Sequence, residues 1–167
     1  MLYLIENAPM QTTAAPTPVA TGTAIKTMLQ VKPIVPMKIV EWGISYDGFA
    51  AAQPGKVELI ETDVAATVTA FINADITKLD GEALQFGDPT SNYISVGTSA
   101  SGYTATAEGT ITAVRNLDGS QLIAPTNQFV KQFPLGYRPF VQAAKFLRIR
   151  VTFGTTVNAY CYVIVEF

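Results

Sequence analysis

The run Val157-Asn-Ala-Tyr-Cys-Tyr-Val-Ile-Val-Glu-Phe167 constrains the fold more than any other stretch, because it is apolar on both sides of a strand. At a period of two residues, Val157, Ala159, Cys161, Val163 and Val165 fill one face, while Tyr160, Tyr162 and Ile164 stand on the other. Neither face suits water, so the strand is expected in the middle of a sheet whose second face meets a neighbouring subunit. The preceding run, Lys145 to Phe153, alternates Leu147, Ile149, Val151 and Phe153 against Arg148, Arg150 and Thr152. Gly154-Thr-Thr156 supplies the glycine of a short hairpin, and the two runs are expected to pair with each other.

Upstream the chain is punctuated by turn residues, with no long helical period. Residues 1–22 join a short apolar tag, Leu2-Tyr-Leu-Ile5, to a Pro-, Thr- and Ala-rich stretch that favours extended backbone and carries too little apolar mass to fold alone. This segment is expected to be an extended arm, lying on a partner or added as a strand to its own domain, since a free tail would leave Leu2, Tyr3, Leu4 and Ile5 in water. Strands are expected over 23–31, over 34–45 with Trp42 on the apolar face, over 56–61, and over 64–76, where the alanines leave a helical turn followed by a strand as the alternative and Thr67, Val68, Thr69, Phe71 and Ile72 favour a strand. A loop follows over 77–102 around the short Tyr93-Ile-Ser-Val96 segment, and a long strand is expected over 103–115, ended by Asn116-Leu-Asp-Gly119. Three short runs precede the C-terminal pair. The count is about eight strands, the pattern of an all-β sandwich or barrel, with the domain expected over 23–167.

The 167 residues contain no histidine, which removes the default general base near neutral pH, the Ser-His and Cys-His arrangements, and most zinc sites. Cys161 is the only cysteine; in an apolar strand it reads as a core thiol rather than a nucleophile. Glu58, Glu61 and Asp63, and Asp80, Glu82 and Asp88, are the remaining acid clusters. They lack calcium-loop register, and Glu58 and Glu61 are expected on opposite faces of a strand, so solvated loop charge is expected in place of a metal or catalytic site. No catalytic residue, metal or cofactor is expected. Eleven Lys and Arg scattered through the chain form no basic stripe, which argues against nucleic acid. No apolar run approaches the ~20 residues a bilayer span needs, so no membrane partner is expected. Charged residues make up only 14% against about 25% in ordinary soluble domains, a surface suited to being covered by other protein. Trp42 reads as a core anchor, its rival role being a sugar-stacking platform. Arg148 and Arg150 share a face that either lies in solvent, guarding a sheet edge, or meets an acidic neighbouring subunit.

Four segments carry a resemblance: Lys26-Thr-Met-Leu-Gln-Val-Lys-Pro33, Met37-Lys-Ile-Val-Glu-Trp-Gly-Ile-Ser-Tyr-Asp-Gly48, Pro54-Gly-Lys-Val-Glu-Leu-Ile-Glu-Thr62, and Leu147-Arg-Ile-Arg-Val-Thr152 with Val157-Asn-Ala-Tyr-Cys-Tyr-Val163. In these the chain resembles a family of small proteins, encoded beside the capsid genes of tailed bacteriophages, that decorate or cement the head. The resemblance implies a jelly-roll β-sandwich, homotrimers on the outer surface of the capsid, the major capsid protein as partner, synthesis in the host cytoplasm, and no enzymatic activity. On that footing Leu2, Tyr3, Leu4 and Ile5 are expected to attach to the capsid, and Tyr160, Tyr162, Ile164, Arg148 and Arg150 to lie at the subunit interface. The rival reading is a receptor- or glycan-binding head of a phage fibre, using Tyr93, Tyr103 or Tyr137.

Overall fold

The doubly apolar C-terminal run does lie inside a sheet, but it pairs with strands far from it in the chain. A computed structural model describes residues 1–47, 53–80, 93–122 and 128–167. Its strands are β1 (Leu2–Glu6), β2 (Val19–Ala20), β3 (Lys26–Val31), β4 (Met37–Asp47), β5 (Gly55–Thr62), β6 (Thr67–Ala70) and β7 (Ile76–Lys78). They continue with β8 (Gly102–Ala107), β9 (Val114–Leu122), β10 (Phe129–Gln132), β11 (Phe140–Val141), β12 (Phe146–Thr152) and β13 (Asn158–Glu166); one 3-10 turn, Asn73–Asp75, precedes β7. The pairing is antiparallel throughout. A front sheet runs β10-β4-β13-β1-β7, with β11 added on β4 and β2 on β13; a back sheet runs β6-β8-β3-β12-β5-β9.

The expected hairpin is therefore an arch. β13 pairs with β1 and β4 in the front sheet, and β12 pairs with β3 and β5 in the back sheet, so Gly154–Thr156 carries the chain from one layer to the other. Leu147, Ile149, Val151 and Phe153 then meet Val157, Ala159, Cys161, Val163 and Val165 across the core, all nearly or fully buried. Each strand gains two neighbours this way, where a terminal hairpin would have left one strand at an edge.

Thirteen strands among the described residues exceed the expected eight, because β2, β6, β7 and β11 are short runs that loops lay along sheets already formed and because one expected strand is split into β8 and β9. The strand expected over 103–115 stops at Ala107 and resumes as β9 at Val114, since Glu108 leaves the sheet to bind other groups. Asn116-Leu-Asp-Gly119 does not end that strand: Leu59 faces Asp118 and Ile60 faces Asn116, which leaves Leu117 as the extra residue of a bulge within β9. Trp42 is fully buried, and its Nε1 donates to Asp118 Oδ2 at 3.0 Å, tying the front sheet to the edge of the back one.

Candidate interaction surface

β1 lies between β13 and β7, with Leu2 facing Glu166, Leu4 facing Ile164 and Glu6 facing Tyr162. The segment expected as an arm is thus, in its first residues, an interior strand of the domain. Tyr3 and Ile5 point into the core at 0% exposure, with the Tyr3 ring 5.9 Å from Phe167 and 6.3 Å from Tyr93. Their side chains are covered by this chain itself, which leaves Leu2 and Leu4, half-buried, as the members of the tag with outward surface. The chain leaves β1 at Asn7, whose side chain caps Ala159 and Cys161, runs exposed through 9–15, and rejoins β13 at β2.

The outward face of the front sheet is a ladder of alternate residues. One row reads Thr77, Leu4, Ile164, Glu41 and Gln132; the next reads Glu6, Tyr162, Gly43 and Val130; Tyr160 stands opposite Ser45 in a third. Tyr160, Tyr162 and Ile164 are half-buried, as the period-two pattern requires. Tyr162 lies across Gly43: a Cβ there would sit 2.5 Å from its Cε1, so only glycine leaves room for the ring. The ring in turn covers backbone that would otherwise be bare. Tyr162 Oη donates to Glu41 Oε1 at 2.6 Å, and Tyr160 Oη donates to Glu6 Oε1. Burial, then the adjacent carboxylates, push both phenols well above their ordinary range, so they stay neutral donors. The result is an ordered stripe of aromatic and aliphatic surface, its hydroxyls already satisfied within the chain.

Arg148 and Arg150 lie on the outward face of the back sheet, as their alternation predicts, but they are not both available to another subunit. Arg148 is fully buried under the segments 62–66 and 107–113. Its guanidinium donates to the Glu108 carbonyl at 3.1 Å, to Glu108 Oε2 at 3.1 Å and to the Val64 carbonyl. Glu108 also accepts from Thr27 N at 2.5 Å and Thr27 Oγ1 at 2.6 Å. Desolvation pulls the Arg148 pKa down and Glu108 opposes it. Beside it, Gln30 is fully buried: its Nε2 donates to the carbonyls of Ala66, Ser99 and Ala100, and its Oε1 accepts from Ala66 N at 2.8 Å. The interface role expected for Arg148 is corrected accordingly; it is an internal peg for loops laid over the sheet. Arg150 binds Glu58 at 3.1 Å at the rim of the same face.

The acid groups do not converge. Glu58 points outward to Lys56 and Arg150, whereas Glu61 binds Arg115 at 2.8 Å, and Asp63 caps Thr112 and Ala113. Asp80 accepts from Leu2 N at 2.6 Å; Glu82 and Asp88 lie outside the described residues. Among the described residues no three His, Cys, Asp or Glu side chains gather as a metal site. Cys161 is wholly buried, and burial pushes its thiol far above the range of a nucleophile. Of the tyrosines weighed for ligand stacking, Tyr93 packs on Tyr3 and Phe167 and Tyr103 on Phe71, while Tyr137 is 83% exposed. Gln30 and Glu108 escaped the sequence reading, although a glutamine inside Met28-Leu-Gln-Val31 is a signal for a buried polar group needing partners. Comparison with protein-family models, curated proteins and solved structures gives no match to this chain.

Proposed function

We propose that the chain is a structural virion protein of a bacteriophage, a jelly-roll that assembles as trimers on the outer surface of an icosahedral head and cements the major capsid protein lattice. The strand order supports the jelly-roll. Eight of the strands give β1-β13-β4-β10 in one layer and β3-β12-β5-β9 in the other, and successive members cross from layer to layer except β5 and β9, which are paired neighbours in the back sheet. Both termini of that set, β1 and β13, pair at the centre of the front sheet, as when a long hairpin is rolled into two Greek keys.

The observation that carries the assembly reading is the outward stripe of Leu2, Leu4, Tyr160, Tyr162 and Ile164. These residues form contiguous, ordered, partly apolar surface that no other described residue covers fully. Surface of this kind, on a chain with few charges, fits a face that meets another subunit. Cementing then needs no reaction: modest contacts repeated around a closed lattice add through multivalency. Purified protein added to heads that lack it should raise the temperature at which they burst. Heads whose bursting is unchanged at saturating protein would reject the proposal. The fibre-head reading retains one supporting observation, the exposure of Tyr137; binding to host cells in place of heads would favour it.

A further inference from the structure

The two ends of the sandwich differ in a way the proposed function does not use. Pairing fixes which residues share an end. Met37 faces Val141, Lys38 faces Glu166, Ala144 N bonds the Pro33 carbonyl at 3.1 Å, and Leu79 N bonds the Leu2 carbonyl at 2.8 Å. This end therefore gathers Ile34 (47% exposed), Val35 (37%), Leu79 (47%), Leu135 (81%), Tyr137 (83%) and Phe140 (43%). At the far end, where β12 passes to β13 and the chain leaves β1, the exposed ones among the described residues include Gln11, Thr12, Thr13, Gly154, Thr155 and Thr156, with Met10, Ile25 and Ile72 among them.

The most exposed pair sits on a rigid mount. Tyr137 N bonds the Pro134 carbonyl at 2.9 Å and Gly136 has φ +93°, a type II turn in which glycine takes the left-handed third position. On either side the turn is fastened to β4: Phe133 N bonds the Val40 carbonyl at 2.8 Å, and Ile39 N bonds the Pro139 carbonyl at 2.9 Å. Arg138 adds an ion pair with Glu166 at 2.7 Å. A turn held this firmly loses little entropy when its tip is buried, the condition for an energetic anchor at an interface.

Charge indicates what the tip meets. Among the described residues, the four side-chain carboxylates at this end are each engaged: Glu61 by Arg115, Glu166 by Arg138, Asp80 by the N-terminal amine at 3.6 Å, and Asp63 by Thr112 and Ala113. Lys38 and Lys145 make no ion pair among the described residues, and Lys32 lies over the Phe146 ring at 5.6 Å. Two apolar knobs thus project from a cationic rim on a chain whose net charge is −2.

We propose that this end, with Leu135 and Tyr137 at its tip, is the surface that seats the protein on the head, in an apolar hollow rimmed by carboxylates on the shell. This rests on the decoration reading and deepens it, replacing the arm as the point of attachment. The assay is co-sedimentation of full-length protein with empty heads that lack it, alongside light scattering for oligomer mass. Leu135→Ser with Tyr137→Ser, both at exposed positions, should bind heads at least tenfold more weakly with mass unchanged. Lys38→Glu with Lys145→Glu should weaken binding and flatten its dependence on salt, whereas Gln11→Ala at the far end should bind like wild type. Wild type that fails to sediment with heads overturns the decoration reading and this one together. If wild type binds and the tip variant binds equally well, this inference alone falls. It also falls alone if the tip variant loses oligomer mass, which would make the turn a subunit contact; wild type that sediments with anionic lipid vesicles and not with heads overturns both readings.

Discussion

Neutralising Glu108 should destabilise the protein more than removing the arginine it serves. Arg148 is fully buried and its charge has one ionic partner among the described residues, Glu108 at 3.1 Å, whose side chain is 20% exposed. In Glu108→Gln the guanidinium stays buried without a counter-charge, and one new amide N–H must face a donor, either Arg148 or Thr27. Breaking a buried pair from one side costs about 3–5 kcal/mol; the partial exposure of Glu108 admits some solvent and brings this to about 2–4 kcal/mol. Arg148→Met removes the buried charge, and Glu108 keeps its two bonds from Thr27 and its edge in water, so the cost is about 1–2 kcal/mol, mainly from the carbonyls of Val64 and Glu108 left without a donor. For a chain of this size the melting temperature should fall by about 6–12 °C for Glu108→Gln and about 2–6 °C for Arg148→Met. Hydrogen exchange should place the loosening in residues 62–66 and 107–113, with β4 and β13 protected as before. Equal effects, the reverse order, or changes within about 0.5 kcal/mol for both would refute the assignment of Arg148 as a buried peg.

Two further outcomes follow from the front sheet and from the loop caps. Gly43→Ala puts a Cβ 2.5 Å from the Tyr162 ring and should break the Tyr162–Glu41 bond. A loss of about 1–3 kcal/mol and a changed near-ultraviolet dichroism are expected, with part of the stability restored by Tyr162→Ala. Asp63 is held down to about 2, chiefly by the Thr112 hydroxyl and then by the Ala113 amide. Glu58 is also lowered: burial pushes it up, but Lys56 and Arg150 outweigh that. A carboxylate depressed in the folded state adds stability that is complete above its unfolded pKa, about 4, and is lost as pH falls through the folded value. The protection of Ala113 against exchange, taken relative to its intrinsic rate at each pH, should therefore fall between about pH 4 and pH 2, and Asp63→Asn should abolish that step; a step at neutral pH would be inconsistent with the cap.

The sequence made side legible better than partner. The period-two pattern of β13 named its inward and outward residues and placed it inside a sheet, because a strand apolar on both faces has no stable place at an edge. The same pattern is silent on which strands are neighbours. Gly154-Thr-Thr156 announces a reversal, yet a hairpin within one sheet and an arch between two use the same local chemistry. Asn116-Leu-Asp-Gly119 has turn composition and is a bulge, since both ask for an irregular backbone. The candidate surface was half legible. Tyr160, Tyr162 and Ile164 face outward as alternation requires, while Tyr3, Ile5 and Arg148 look in sequence like their neighbours and are covered by parts of the chain 40 or more residues away. Such burial depends on long-range crossings that no local signal carries.

The mass of the protein in solution tests the central claim most directly. Light scattering at micromolar concentration should give about three copies of the 17.9 kDa chain, and Tyr162→Glu together with Ile164→Glu should shift it toward one copy without unfolding the sandwich. A wild-type protein that remains a stable, folded monomer under those conditions would contradict the reading of the front sheet as a subunit interface.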